Sequence, residues 1–412
     1  MTVKSGTKYE MSYIVRRKHV GKKPLFQELA LESGKLYSET VKFFWRTVRK
    51  KNIWLKPSQL KRHIDSDQMH AHSADAAVEA FTNSLKSWIQ KRRNNYTAKP
   101  PKRLRKYYPV TWKSSAIKIK NHQLILSNGR NKQSIILNNW QYNQPVQVTM
   151  RWIGKQYEMI FTFKDNSCIS NNEEFIETDE SKIAGIDIGQ IHTAVCSDGI
   201  SLNGRYLRSL RQWKDKKLSD IQSKMDSVKK GGKRWRRLKS KKFRFLRKVN
   251  NKIDDILHKY MTGLVATQKR KGVTTLVIGD LSGYRQNNDC GHTRNQENHQ
   301  WLYGKITHMI QYKAKKLGLN VILQEESYTS KTCPRCGYCH KNSPKGRNFV
   351  CKSCHFNCHR DLVGSINIKQ KYLGNFGLVS QVVADMAPAS GVRYKSHISV
   401  TQGFGLRESA GL

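Results

Sequence analysis

Apolar residues recur along this chain with two periods, and the changes of period mark its segments. The opening TKYEMSYIVRRK alternates apolar and polar positions and predicts a strand. Residues 25 to 53 and 72 to 92 shift to helical spacing, with Ala76, Ala77, Ala80, Phe81, Leu85 and Trp88 falling along one face. RRNNYTAKPPKRLRK, residues 92 to 106, should end that helix, because its prolines break the ladder and its charges resist burial. Alternation resumes in AIKIKN, QLILSN, SIILNN, VQVTMRW and YEMIFTF, which predict a small β-barrel or sheet closing near Asn166.

The acidic stretch NNEEFIETDES, residues 171 to 181, interrupts an otherwise basic chain and is the expected main boundary. Beyond it KIAGIDIG and HTAVCSDG read as a hairpin, and a highly charged helical segment runs to about Val265. TTLVIGDLS then reads as a buried strand, residues from about Asn298 to Leu317 as a helix, and NVILQEES as a further strand. Strands alternating with helices predict an α/β sheet domain. Residues 374 to 412 lack clear periodicity and are expected to form a loose tail.

Composition adds the partner. Among 412 residues, 76 Lys and Arg face 30 Asp and Glu, a formal net charge of +46. So strong an excess strains a compact fold unless a polyanion neutralises it, which points to nucleic acid. No apolar run is long enough to span a membrane and no signal segment is evident, so a cytoplasmic, nucleoid-associated protein without a membrane partner is expected.

Six of the nine cysteines fall between Cys333 and Cys358, which argues for metal binding rather than a disulfide scaffold. Cys333-Pro-Arg-Cys336 and Cys351-Lys-Ser-Cys354 each bring two thiolates onto one tight turn, and together they complete a tetrahedral Zn²⁺ shell. Cys339, His340, His355, Cys358 and His359 are then bystanders. A saturated four-thiolate site has no open position for water, so the zinc should be structural. Lys331, Arg335, Lys341, Lys345, Arg347 and Lys352 would face nucleic acid from this ribbon.

Two acids stand out. Asp187 ends the apolar run AGIDIG, where a carboxylate is costly unless a cation compensates it, although a plain strand-end turn cap would also use an Asp. Asp361 opens a helix just after the ribbon, a place that suits either helix capping or metal binding. If acids from separate elements converge, they can hold paired Mg²⁺ ions for phosphodiester hydrolysis.

Taken in order, AGIDIGQIHTAV, LVIGDLSG, QYKAKKLGL, SYTSKTCPRCG with CKSC, and HRDLVGSINI resemble the TnpB family encoded by bacterial insertion sequences, relatives of the type V CRISPR effectors. The resemblance covers residues 182 to 370 and implies an RNase H-like (RuvC) nuclease, guided by RNA, with catalytic Mg²⁺ and a double-stranded DNA target. It implies a multidomain α/β and α+β fold. A β-barrel wedge domain (1–20 and 100–170) would carry a helical recognition lobe (21–99), followed by the RuvC domain (179–330) with a basic helical insertion (205–265). A zinc ribbon (331–358), a last RuvC helix (359–373) and a flexible tail (374–412) would complete the chain.

By the same resemblance Asp187 matches the first catalytic aspartate and Asp361 the last, while most family members have a glutamate where this chain has Gly279. Three accounts stay open. A carboxylate on the neighbouring strand substitutes, with Glu326 favoured over Glu325; or Asp280 turns inward, against strand alternation; or the metal site is broken.

KKGGKRWRRLKSKKFRFLRK, residues 229 to 248, carries twelve basic residues and no acid, with Trp235, Leu238, Phe245 and Val249 at near-helical spacing. A helix with one apolar face is expected beside the nuclease cleft, tracking phosphates through Lys233, Arg234, Arg236, Arg237, Lys241 and Arg244. The leading expectation is thus an RNA-guided, Mg²⁺-dependent DNA endonuclease that cuts next to a short flanking motif. The alternatives are a nuclease-inactive RNA-guided DNA-binding regulator and, further off, an unguided nucleic-acid chaperone.

Overall fold

Short alternating strands need a second surface to bury one face, and in the first half of the chain helices provide it. A computed structural model describes residues 13–164, 178–281, 291–342 and 346–377, in two compact units, Met1–Cys168 and Ile169–Leu412. The start of the opening strand, the acidic stretch up to residue 177, Lys345 and nearly all of the expected tail lie outside the described residues.

In the first unit β1 (Tyr13–Gly21) leads into α1 (Pro24–Lys51), α2 (Pro57–His63) and α3 (Ala71–Asn94). Pro24 sits in the first turn of α1, where its missing amide would have had no partner, and Arg49, Lys50 and Lys51 meet the negative end of the helix dipole. Leu36, Val41 and Phe44 of α1 join Val78 and Phe81 of α3 in one apolar core. The short α2 was not expected: it buries only Leu60, too little for a period to show.

The unit continues with β2 (Val110–Lys113), β3 (Ile117–Lys120), β4 (Gln123–Leu126), β5 (Ile135–Leu137), β6 (Gln147–Trp152) and β7 (Tyr157–Lys164). One antiparallel sheet has the order β1-β7-β6-β2 and a second has β3-β4-β5. Trp112 is fully buried, and its indole N–H donates to the carbonyl of Ser127 and to Asn128.

The second unit begins with β8 (Ile183–Asp187), β9 (His192–Cys196) and β10 (Ser201–Asn203), then α4 (Arg205–Asp226) and α5 (Lys233–Arg270). After β11 (Thr275–Asp280) come α6 (His292–Gln300), α7 (Tyr303–Lys316) and β12 (Asn320–Glu325). The small strands β13 (Asn348–Val350) and β14 (Asn357–His359) precede α8 (Arg360–Tyr372). The main sheet runs β10-β9-β8-β11-β12, with β8, β11 and β12 mutually parallel and β9 and β10 antiparallel.

IAGI of β8 and TLVIG of β11 are buried at every position, the unbroken apolar run expected of parallel strands covered on both faces. Residues of α5 and α7, among them Leu257, Met261 and Ile310, pack with Ile186 and Ile278, while Ile368 of α8 packs with Ile183 and Val277. The helix expected from Asn298 to Leu317 is two helices, α6 and α7. The apolar stripe Ile306, Met309, Ile310 and Ala314 belongs to α7 alone, and Trp301, with φ −65° and ψ 131°, is extended between them.

α8 lies unusually close to β8. A Cβ on Gly185 would collide with the carbonyl oxygen of Ser365, and a Cβ on Gly364 would come within 2.9 Å of Asp187 Oδ2. The first contact is with backbone that no side-chain movement can relieve, so Gly185→Ala should loosen the α8–β8 contact by about 1–3 kcal/mol. Hydrogen exchange read by mass spectrometry should show faster exchange across both elements; unchanged protection would contradict this account of their packing.

Candidate metal and nucleic-acid site

Parallel strands that start together end together, so β8, β11 and β12 deliver their last residues to one edge of the sheet. Asp187 is the last residue of β8, and Glu326 directly follows β12. Between them runs β11, whose Ile278 pairs with Ile186 on one side and whose Gly279 pairs with Gln324 on the other. A Cβ on Gly279 would fall on the Glu326 carboxylate, so the space that a side chain at 279 would fill holds the Glu326 side chain instead. Asp361, in the first turn of α8, joins Asp187 and Glu326 in lining a cleft of about 590 Å³.

Asp280 is turned elsewhere. The hydroxyl of Tyr303 on α7 donates to its Oδ1 at 3.3 Å, and Asp280 is absent from the cleft lining. Alternation along β11 explains this, because neighbouring residues point to opposite faces. Glu325 also faces away and is paired with Lys371.

Burial acts against the charge of all three cleft acids, and their surroundings then set them apart. Burial, then the charges of Glu326 and Asp361, push the Asp187 carboxyl well above the usual carboxylate range. Burial, then the charges of Asp280 and Glu325, raise Glu326 to about 7. Burial also pushes Asp361 upward, but the hydrogen bond from His192 and the charges of His359 and Arg347 outweigh it and leave its carboxyl below the ordinary value. Glu326 Oε1 is buried with no hydrogen-bond partner. Converging carboxylates with a partnerless buried oxygen form a donor set suited to a hard divalent cation such as Mg²⁺.

Arg208, Arg347 and Arg360 line the same cleft, with Arg347 Nη1 3.5 Å from Asp361 Oδ1. Carboxylates that could hold a metal and guanidinium groups that could hold a phosphate therefore share one cavity. Reading the sequence cast Arg347 only as a surface residue of the ribbon and overlooked Arg208, Glu297 and Trp301, which reach the cleft from α4, α6 and the turn after it. No spacing rule flags them, because arginines are plentiful throughout the chain.

The cysteines Cys333, Cys336, Cys351 and Cys354 come together with all sulfurs within 4.8 Å, and could hold a zinc ion. Cys333 and Cys354 sulfurs lie 3.7 Å apart, and those of Cys336 and Cys351 3.5 Å apart. Zn–S bonds of about 2.3 Å in a tetrahedron would set them about 3.8 Å apart, so the fit is close. Burial pushes the Cys336 thiol upward, yet the Tyr338 amide and the neighbouring cysteines draw it down to about 7, towards the thiolate that a metal needs. Cys339 and Cys358 stand outside this set.

Arg335, Lys341 and Lys352 of the ribbon are exposed, whereas Lys331 is half-buried with its ammonium over the Tyr328 ring. Lys233, Arg234, Arg236, Arg237, Lys241 and Arg244 are all exposed on the first turns of α5, a helix anchored through Val249 and the apolar residues that follow. None of these six is among the residues that line the carboxylate cleft. Burial along α5 is concentrated from Val249 onward, while these six basic residues stay exposed.

Comparison with known proteins places this geometry. Residues 168–285 match the family described as "Probable transposase" (OrfB_IS605), and residues 303–368 match the "Cas12f1-like, TNB domain". The TnpB-like protein ORF457 of Acidianus two-tailed virus is 26% identical over 243 residues, and a TnpB-like protein of Methanocaldococcus jannaschii is 30% identical over 175. The chain is similar to TnpB-like proteins. These alignments cover 58% and 41% of this chain, and span 51% and 59% of the viral and archaeal relatives. Its fold is shared with the protein of a Cas12f1–sgRNA–target DNA complex, at a TM-score of 0.58 and 14% identity over 84% of this chain and 82% of that one. No helix among the described residues is long and apolar enough to cross a membrane.

The raised carboxyl of Glu326 sets a pH dependence. Its folded value of about 7 lies above the ordinary 4.5, so its contribution to stability is full below about 4.5 and is lost as pH rises through about 7. With Mg²⁺ dialysed away, the second unit should therefore lose denaturant resistance across that window. Glu326→Gln, which cannot ionise, should flatten the decline; an equal slope in both proteins would refute the assignment.

Proposed function

We propose that this chain is an RNA-guided DNA endonuclease whose second unit is a RuvC-type, RNase H-like nuclease domain, cutting target DNA by metal-assisted hydrolysis. The observation that carries the proposal is the position of Glu326. Its carboxylate fills the space beside Gly279, at the end of the strand between Asp187 and itself, so an acid is present where the strand's own residue has none. Asp187, Glu326 and Asp361 then supply three carboxylates to one cleft. The reading of a nuclease-inactive binding protein drew its force from the missing acid at 279, and an acid delivered from β12 removes that motive.

Bound between these carboxylates, Mg²⁺ ions would activate a water and stabilise the departing oxygen. The protein's own part is to hold Asp187 rigidly at a strand end, Asp361 at a helix N-terminus and Glu326 over a glycine, all without a flexible loop. Arg208, Arg347 and Arg360 would neutralise the scissile phosphate and orient it towards the acids. Because Arg347 precedes β13, a folded zinc ribbon would be required to present it.

The structural relative, captured with sgRNA and target DNA, supports guide RNA and double-stranded DNA as partners. With a net charge of +46, phosphate backbones are the natural counterions, and the six exposed basic residues of α5 would track them. The first unit, with its antiparallel sheets and the helices inserted between β1 and β2, would serve as wedge and recognition lobe.

Asp187→Ala and Glu326→Gln should each lower guided DNA cleavage in Mg²⁺ by on the order of a hundredfold or more, while target binding persists in a gel-shift assay. Asp280→Asn should be mild, and the reverse ranking of Glu326 and Asp280 would overturn the proposal. Moving the acid between strands gives a stricter check. Gly279→Glu combined with Glu326→Gly should recover cutting that Glu326→Gly alone has lost, since the carboxylate returns to the same space; no recovery alongside a folded protein would count against the shared position. Stripping zinc should unfold the ribbon and abolish cutting, and full activity after complete removal would exclude a required ribbon.

A further inference from the structure

A second cluster of donors stands next to Asp361 and plays no part in the cleft described above. His192, at the start of β9, places Nδ1 2.8 Å from Asp361 Oδ2, and His359, at the end of β14, packs its ring edge-on against that of His192 at 4.8 Å between centroids. One donor atom from each of His192, His359 and Asp361 lies within 4.8 Å of the other two. Neither histidine lines the carboxylate cleft, so the pair meets Asp361 from another side.

We infer that His192, His359 and Asp361 form a two-histidine, one-carboxylate site that binds a nitrogen-accepting first-row divalent metal such as Mn²⁺ in preference to Mg²⁺. This rests on the carboxylate reading proposed above, because Asp361 is common to both donor sets.

Ligand chemistry argues for it. Mg²⁺ takes oxygen donors and seldom imidazole, whereas two imidazoles with one carboxylate suit the transition metals and leave open positions for water or substrate. Neighbouring ligands on a metal with bonds of about 2.1 Å lie about 3.0 Å apart, a separation that His192 Nδ1 and Asp361 Oδ2 already approach. The fold also presents the nitrogen in the required form. His359 Nδ1 accepts the backbone N–H of Asp361 at the cap of α8, so this nitrogen carries a lone pair directed at the first turn of α8. Binding through this nitrogen exchanges a capping hydrogen bond for a metal bond, while the side chain of His192 keeps an opening of 21% to solvent through which an ion can enter. Arg347 competes for the other oxygen, Oδ1, and so leaves Oδ2 as the shared ligand.

The test uses the full chain with its ribbon zinc in place and Mn²⁺ as the probe, read by pulsed electron paramagnetic resonance. Wild-type protein should show nitrogen hyperfine coupling from directly bound imidazole. The coupling should change in the ratio set by the nuclear moments when the histidines alone carry ¹⁵N, a readout that needs no variant. His192→Ala with His359→Ala should remove the coupling and weaken Mn²⁺ by about tenfold or more, with a smaller effect on Mg²⁺, both measured by calorimetry. Bound Mn²⁺ without nitrogen coupling would overturn this inference and leave the carboxylate cleft standing, with His192 only a hydrogen-bond partner of Asp361. No bound Mn²⁺ at all would overturn both.

Discussion

Burial of carboxylates at one edge of the sheet, with negative charge nearby, is the constraint on which the second unit's site depends. Asp187 and Glu326 are forced upward in pKa by burial and by neighbouring negative charge, a state that no protein gains from unless a cation or a proton relieves it. Here the scaffold holds it in place: β8 ends at Asp187, β12 delivers Glu326, and α8 carries Asp361 into the same cleft.

Glycine makes that convergence possible at three points. Gly279 leaves room for the Glu326 carboxylate, Gly364 leaves room for Asp187, and Gly185 lets the backbone of α8 lie against β8. Each absence of a Cβ brings a polar group closer to the sheet edge than ordinary packing allows. The acids stay rigid because they are mounted on strand ends and a helix start, where hydrogen-bonded backbone fixes their direction.

The ribbon is tied to this edge by short covalent distance. Arg347 comes just before β13, its carbonyl oxygen accepts from the Arg360 amide, and its guanidinium reaches Asp361 Oδ1. The cysteine-bearing hairpin thus adds a cation to a cleft that three carboxylates line. Charge of both signs in one cavity is what distinguishes a place for a metal-bridged phosphate from a mere acidic patch.

The sequence by itself determined the elements with strong periods: α1 and α3, the buried runs of β8 and β11, and the Cys333, Cys336, Cys351 and Cys354 clustering, whose spacing dictates its own geometry. It also carried the motifs that resemble those of TnpB proteins and the charge of +46. It missed α2 and ran α6 into α7, because seven residues with one buried apolar side chain and nine with a polar surface leave no periodic trace. Only the tertiary structure decided what occupies the space beside Gly279, that Asp280 faces Tyr303, that Arg347 enters the cleft and that His192 meets His359. The physical reason is separation along the chain: His192 and Asp361 are 169 positions apart, and nothing local in either segment encodes a contact that strand order alone creates.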